Sequence, residues 1–299
     1  MGVNCSSSAC GCARDSELRV PRPDELVTDI ALPQNPSMSR TTNGDDYGND
    51  EGGAEVERVQ YSATSLGKTY FDREIQELSA TKGIGYEAQE ERPTYTFGTG
   101  ATYKGQWRGN RRHGYGVQRW ADGAMYEGQW RWNNASGHGR FQYKEHHTSY
   151  IGQWRRSMAH GEGVYRDNEH VYYGNWVNDE QDGKGVETWN DGEHYEGEFV
   201  GGTKHGYGVY QSKDGSKSEG AWKDGLMNGP GDVIGTDHNF KGTWVASHKS
   251  GMGKCEWHDG RKYEGQYAKD HRDGFGVFTW ADGNTQTGFW HNGEPVPGQ

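Results

Sequence analysis

The chain repeats one short pattern nine times. Tyr103-Lys104-Gly105-Gln106-Trp107 returns as Tyr126-Gly128-Trp130, Tyr150-Gly152-Trp154, Tyr172-Gly174-Trp176 and Tyr195-Gly197-Phe199. Weaker copies are Ser218-Gly220-Trp222, Phe240-Gly242-Trp244, Tyr263-Gly265-Tyr267 and Gln286-Gly288-Trp290. Successive starts lie 23, 24, 22, 23, 23, 22, 23 and 23 residues apart. A period that steady marks an array of one supersecondary unit whose neighbours bury what a single copy cannot.

A second signature keeps the same phase. Gly-x-Gly follows about eleven residues after each unit start, from Gly114/Gly116 to Gly274/Gly276. Most units then carry Asp-Gly, as at Asp122-Gly123, Asp191-Gly192, Asp214-Gly215, Asp259-Gly260 and Asp282-Gly283. Asp-Gly between short alternating runs is a strong turn signal. Each unit therefore reads as strand, loop, strand, turn, with the tight turn at Asp-Gly. The second unit is expected to insert Asn133-Asn134-Ala135-Ser136 around its loop.

Side chains alternate along a strand, so Tyr103, Gly105 and Trp107 share one face while Lys104, Gln106 and Arg108 share the other. Glycine between two rings leaves room for a neighbouring unit's aromatic to lie over the backbone. Trp120, Trp189, Trp257 and Trp280 recur four residues past the second glycine and form a second aromatic rank. The expected stack runs through Tyr103, Trp107, Tyr126, Trp130, Tyr150, Trp154, Tyr172, Trp176, Tyr195, Phe199, Trp222, Phe240, Trp244, Tyr263, Tyr267 and Trp290 and lines a groove. The fold class is all-β: an elongated single-layer antiparallel sheet of stacked hairpins.

Y-x-G-x-W followed by G-x-G on this period resembles the MORN repeat (membrane occupation and recognition nexus), over roughly residues 95 to 294. That resemblance implies a scaffold array, often dimerising through its ends, with phospholipid binding attributed to some members. It also implies no enzyme by itself. Members that are enzymes carry an appended catalytic domain, and none is expected here.

Composition agrees with a thin sheet. Of 299 residues 48 are glycine and only 30% are hydrophobic, too little for a thick two-layer core. No apolar run reaches the roughly 20 residues of a membrane span, and no signal-peptide core is present near the start. Net charge is −11 but unevenly spread. Residues 1–90 hold 8 basic against 16 acidic side chains, and residues 101–166 hold 11 against 4. Such acidity, with no recognition fold, argues against nucleic acid.

Met1-Gly2-Val3-Asn4-Cys5-Ser6 fits N-myristoylation at Gly2, and Cys5, Cys10 and Cys12 are placed for S-palmitoylation. One myristoyl chain binds a membrane marginally, at about 10⁴ M⁻¹, so a second acyl group is needed for stable anchoring. Zinc is disfavoured because these cysteines lack a fourth ligand and Cys-x2-Cys spacing. Residues 1–12 thus read as an acylation peptide and 13–92 as a mostly disordered acidic linker. The spacing of Phe71, Ile75 and Leu78 predicts a short helix over 70–78, docking on the first repeat to cover its open edge. Residues 93–294 are the array and 295–299 a tail. Tyr95-Thr96-Phe97 is expected to start a half-unit hairpin, whereas nothing is expected to cover the last edge.

No catalytic signature survives inspection, and no cofactor is expected. Gly67-Lys68-Thr69 lacks the glycine and strand of a phosphate loop, since position 62 is Ser62. His113, His160 and His205 share one slot but lie about 19 Å apart by strand spacing, too far to share a metal. Cys255 reads as packing. The informative charge is the basic set Lys104, Arg108, Arg111, Arg112, Arg119, Arg131, Arg155 and Arg156, either a solvated face or a patch for anionic lipid or an acidic partner.

The expectation is a non-enzymatic, membrane-anchored scaffold at the cytosolic face, at the plasma membrane or inner membrane complex. It would dock cytoskeletal or membrane-associated proteins and dimerise through its C-terminal repeats. The alternatives are a ciliary or flagellar subunit resembling radial-spoke components, and a direct phosphoinositide-binding module.

Overall fold

The computed structural model describes residues 70–72, 74–80, 89–143 and 147–297. After helix α1 (Ile75–Ala80), the chain runs through β1 (Gln89–Thr96), β2 (Thr102–Arg108), β3 (Arg111–Arg119), β4 (Met125–Arg131), β5 (Asn134–Gln142) and β6 (Ser149–Arg155). It continues through β7 (Met158–Arg166), β8 (His170–Val177), β9 (Glu180–Trp189), β10 (His194–Val200), β11 (Thr203–Gln211), β12 (Lys217–Lys223) and β13 (Leu226–Ile234). The last strands are β14 (His238–Val245), β15 (His248–Trp257), β16 (Lys262–Ala268), β17 (His271–Thr279), β18 (Thr285–His291) and β19 (Glu294–Pro295). Each strand pairs antiparallel with the next in one open 19-stranded sheet. The all-β single-sheet expectation therefore stands, with the first strand beginning at Gln89, four residues before the boundary expected at 93.

The tight turns lie at the opposite end of the hairpin from the one expected. Two-residue connections such as Trp132-Asn133 (φ 51° and 70°), Asn178-Asp179 (51° and 72°) and Lys269-Asp270 (45° and 70°) join the tyrosine strand to the Gly-x-Gly strand. Positive φ at both positions gives the turn a twist that matches the flanking strands. Asp-Gly instead sits in the wider connection, where Gly123 N donates to Trp120 O at 3.0 Å and Trp120 N donates to Ala124 O at 2.9 Å. The second unit carries no insertion at its turn. Asn134 and Ala135 pair with Arg131 and Trp130 as Arg111 and Arg112 pair with Arg108 and Trp107. Its extra residue falls between Gln142 and Ser149.

Each hairpin is bulged where its Gly-x-Gly begins. Gly105 pairs with Gly116 and Trp107 with Arg112, so Gln106 alone faces His113-Gly114-Tyr115. The Gln106 carboxamide oxygen bridges the gap, accepting from Tyr115 N at 2.8 Å. Gln129, Gln153 and Gln266 do the same for His138, Glu162 and Phe275. Gly114 adopts φ +79°, a left-handed conformation that an L side chain resists. The second glycine has a different task. The Tyr103 ring of the same unit lies flat over Gly105 and Gly116, and any Cβ there would overlap it. The ring over the glycines is thus the unit's own tyrosine and not a neighbour's. Its hydroxyl donates to Gln106 O at 2.9 Å, a bond repeated by Tyr126, Tyr150, Tyr172, Tyr195 and Tyr263.

Two devices join one unit to the next. The tryptophan indole crosses the boundary: Trp154 Nε1 donates to Gly139 O at 3.0 Å, and Trp176, Trp222 and Trp244 reach Gly163, Gly208 and Gly231 in the same way. At the tight turns, Asn133 N donates to Arg112 O at 3.0 Å while Arg112 N donates to Asn133 Oδ1 at 2.7 Å. Ser157 with Ala135, Asp179 with Ala159 and Asp270 with Lys249 form the same reciprocal clamp. Edge-to-face contacts complete the seam, as between Tyr126 and Trp154 at 5.3 Å and Tyr150 and Trp176 at 5.3 Å. Such pairs contribute roughly 0.5–1.5 kcal/mol each beyond area burial.

The sixth unit begins with Ser218 and so has no ring to lay over its glycines. The Met227 side chain fills that place, its methyl group lying against Gly231. At the far end the tail does pair, contrary to expectation. Glu294-Pro295 lies against His291 and Trp290, and Val296 N donates to Phe289 O at 2.8 Å. Pro295 lacks an N–H and donates nothing to the ladder, and the Val296 N–H supplies the next bond.

Candidate docking surface on the aromatic face

All sixteen rings of the expected stack are buried, none more than 8% exposed. They are the core of the sheet and do not line an open groove. What remains accessible on that side is the second rank: Tyr143, Tyr165, Trp189, Tyr210 and Trp257 are half-buried against the core. Within that rank Trp120 is covered, at 4%, and Trp280 is left 40% exposed.

Trp120 is covered by the chain's own segment. Residues 70–72 and α1 lie across the aromatic face over the first three units, not on the edge of the first as the sequence suggested. Phe71 is fully buried, 5.1 to 5.6 Å from the rings of Tyr126, Trp120 and Trp154. Tyr70 packs on Trp120, Phe141 and Tyr143. Leu78 is buried, while Ile75 is half-buried. Carboxylates fix the register: Glu77 accepts from Gly98 N at 2.8 Å and from Tyr95 Oη at 2.9 Å.

Arg112 must be removed from the basic patch. It is 0% exposed because its hairpin partner is Trp107, which sets its side chain on the core face. Its guanidinium stacks 4.3 Å from the Trp130 ring and donates to Gln118 Oε1, Phe71 O and Asn133 O at 3.1 to 3.2 Å. Burial lowers its pKa to about 10, against which the charge of nearby Glu74 works. Glu74 is itself 1% exposed, 3.3 Å from Trp120 Nε1 and 3.3 Å from Thr99 Oγ1. Burial pushes its carboxyl above the usual range, with Arg112 opposing. The direct contact of the docked segment with this buried cation is the Phe71 carbonyl, and the Glu74 carboxyl acts on it through charge alone.

The rest of the basic set divides by register. Arg108, Arg111, Arg131, Arg155 and Arg156 lie at or beside the tight turns of the first three units. Arg108 and Arg111 flank the Trp132 ring at 5.1 and 5.6 Å. Burial, then the charges of Arg108 and Arg131, hold His113 below its usual pKa. Lys104 and Arg119 stand further along their strands, opposite Val117 and Thr102, and do not join this edge. His113 and His160 gather no other ligand, and among the described residues no three His, Cys, Asp or Glu side chains come together as a metal site. Cys255 is buried at 1%, facing Phe240 and Tyr263 across the ladder. The acylation residues Gly2, Cys5, Cys10 and Cys12, and Gly67-Lys68-Thr69, lie outside the described residues.

With ring, bulge and seam repeating in register, comparison with known proteins is direct. The MORN repeat family model matches residues 103–125, 126–148, 150–169, 172–194, 195–217, 219–239, 240–260 and 263–285. The chain belongs to the MORN-repeat family. The units with Ser218 and Gln286 are the atypical ones, and the family model finds no repeat at the last. No curated protein matches this MORN chain significantly. Among solved structures, it is similar to the TCP10 domain of Danio rerio CPAP (E1021V mutant), at 11% identity and a TM-score of 0.31 over 67% of this chain and 100% of that one. It is also similar to the SAS-4 TCP domain of Drosophila melanogaster, solved with a proline-rich motif of Ana2, at 9% identity and a TM-score of 0.28 over 69% and 97%. At these scores neither likeness carries an argument. No helix among the described residues is long and apolar enough to cross a membrane.

Sequence reasoning missed three groups that build this face: the bridging glutamines, the reciprocal turn clamps and the bond from Arg112 to the Phe71 carbonyl. For Arg112 a signal existed. Its slot is held by Ala135 and Ala159 in the next two units, which marks a core position.

Proposed function

We propose that this MORN protein is a non-enzymatic scaffold anchored by acyl chains to the cytosolic face of a membrane. Gly2 would carry myristate, and one or more of Cys5, Cys10 and Cys12 palmitate, since a single chain anchors only weakly. The observation that carries the scaffold reading is the burial of Phe71, Glu74 and Leu78 on the aromatic face. A surface that takes up an amphipathic segment of its own chain has the chemistry to take up segments of other proteins.

The basic turn edge around Trp132 supports a second contact with the anchoring membrane. Exposed arginines near an anionic leaflet contribute about 1 kcal/mol each, and an indole between them suits the headgroup layer. Arg108, Arg111, Arg131, Arg155 and Arg156 would face the lipid, leaving the aromatic face turned to the cytosol.

Fractionation of the full-length protein against its Gly2→Ala variant tests the anchor. Release of the variant into the soluble fraction is expected, and unchanged membrane association would exclude the anchor. Flotation with anionic vesicles of the full chain, unacylated, then isolates the arginine edge. Binding that fades as salt rises is expected for Coulomb attraction.

A further inference from the structure

Among the described residues, the segment around Phe71 covers the aromatic face over the first three units. The slot that Arg112 fills in the first unit returns as Lys204 in the fifth, Lys249 in the seventh and Arg272 in the eighth. Each again sets a cation over rings. Lys204 Nζ lies 4.7 Å from the Trp189 ring and 4.4 Å from that of Tyr210, Lys249 Nζ is 4.9 Å from Phe240, and Arg272 is 4.3 Å from Trp290. Trp189, Tyr210 and Lys204 are all half-buried. A cation among half-buried rings recognises a carboxylate carried beside an apolar side chain. In the first unit Phe71 packs on the rings and Glu74, three positions on, is buried near enough to Arg112 for its charge to be felt.

We propose that the trough over the fourth and fifth units is the docking site of the chain's own segment Asp24–Leu32. Leu26 and Ile30 rest on Trp189 and Tyr210, and Asp29 meets Lys204. Asp24-Glu25-Leu26-Val27-Thr28-Asp29-Ile30-Ala31-Leu32 is the densest apolar run upstream of Tyr70, and it is flanked by carboxylates. Leu26 and Asp29 reproduce the three-residue spacing of Phe71 and Glu74, and Leu26 and Ile30 are one helical turn apart. The composition of this stretch cannot build a core alone, but a preformed aromatic face supplies one.

Charge and reach agree. Residues 1–90 hold 16 acidic against 8 basic side chains, and the slot is basic in the fifth, seventh and eighth units, with Gln181 in the fourth and Met227 in the sixth. The described chain starts with Tyr70 on Phe141 of β5, and Lys204 lies on β11. At about 4.8 Å per strand that is about 29 Å. By random-coil scaling, a linker of roughly 38 residues, the separation of Leu32 from Tyr70, reaches about 34 Å. The inference does not depend on the membrane anchor, because it concerns contacts within one chain.

Zero-length carbodiimide coupling of the full-length protein, read by peptide mass spectrometry, tests it. Asp24, Glu25 or Asp29 is expected to join Lys204 within one chain, in at least fivefold excess over the exposed Lys104 and Lys184. The double variant Leu26→Ser, Ile30→Ser keeps every carboxylate and should lose most of that product. Equal coupling to all three lysines overturns the proposal, as does a yield unaffected by the double variant. Mixing isotopically heavy and light chains closes the remaining route: links between heavy and light chains would place the segment on a second copy and overturn docking in cis.

Discussion

The indole nitrogen of Trp130 donates to the carbonyl of Gly116, 3.1 Å away in the preceding unit. That bond turns a row of hairpins into a connected array, because it satisfies a buried donor only when the neighbour is folded. Phe199 and Tyr267 hold the tryptophan slot without an indole, so the seams between the fourth and fifth and between the seventh and eighth units lack this bond.

Replacing Trp154 by phenylalanine removes the bond to Gly139 and keeps most of the ring. A loss of about 1 kcal/mol is expected, against about 3–5 kcal/mol for Trp154→Ala, which also opens a cavity. Urea midpoints measured on the full chain distinguish the two, and equal losses would show that the indole N–H contributes nothing.

Glycines of one residue type carry unequal costs. Gly139→Ala forces a methyl group into the Tyr126 ring, while Gly192 has nothing within 4 Å and only its φ of +94° to consider. Gly192→Ala should cost about 1 kcal/mol, and Gly139→Ala at least twice that, with the Tyr126 hydroxyl bond to Gln129 lost. Thermal unfolding of the two variants side by side checks the order.

Arg112→Ala leaves Glu74 buried without its nearby cation, and a loss of about 3–5 kcal/mol is expected. Phe71→Ala should act locally, speeding hydrogen exchange in 70–80 while strands beyond β9 keep their protection. Because burial raises the Glu74 pKa, docking of this segment strengthens as pH falls toward that value. Exchange in 70–80 measured at pH 5 and pH 8 should therefore be no greater at the lower pH once corrected for intrinsic rates.

His170 lies 3.1 Å from Asp167 and 3.5 Å from Glu187, stacked on Trp189. Burial by itself would lower its pKa, but the bond to Asp167 and both carboxylates raise it above 6.5. Burial would likewise raise Asp167, but its bonds to His170 and to backbone N–H groups bring it to about 2. The histidine's contribution is complete below pH 6.5 and is lost as pH rises through its folded pKa. The aspartate's is present above pH 3.8 and is lost as pH falls through about 2. The melting-temperature gap between the protein and His170→Gln should be widest near pH 5 and close by pH 9.

The period, the face alternation and the glycine positions were legible in the sequence because each is set within one strand. The turn was misplaced because Asp-Gly is the stronger local signal, whereas Trp132-Asn133 and Asn178-Asp179 take positive φ only with the preceding unit's backbone to clamp against. Arg112 was misread for a related reason. Charge suggests solvent, and only pairing with Trp107 across the two-residue turn sets it inward. The Phe71 docking could not be placed from its own residues, since the pocket is assembled from rings up to 83 positions away, at Trp154.

The central claim is that coupling runs from unit to unit along the aromatic seam, and hydrogen exchange on Trp154→Ala tests it most directly. Loss of protection in β4 to β9, with β14 to β18 exchanging as before, is the predicted result. A uniform loss from β2 to β18, or one confined to β6, would contradict it.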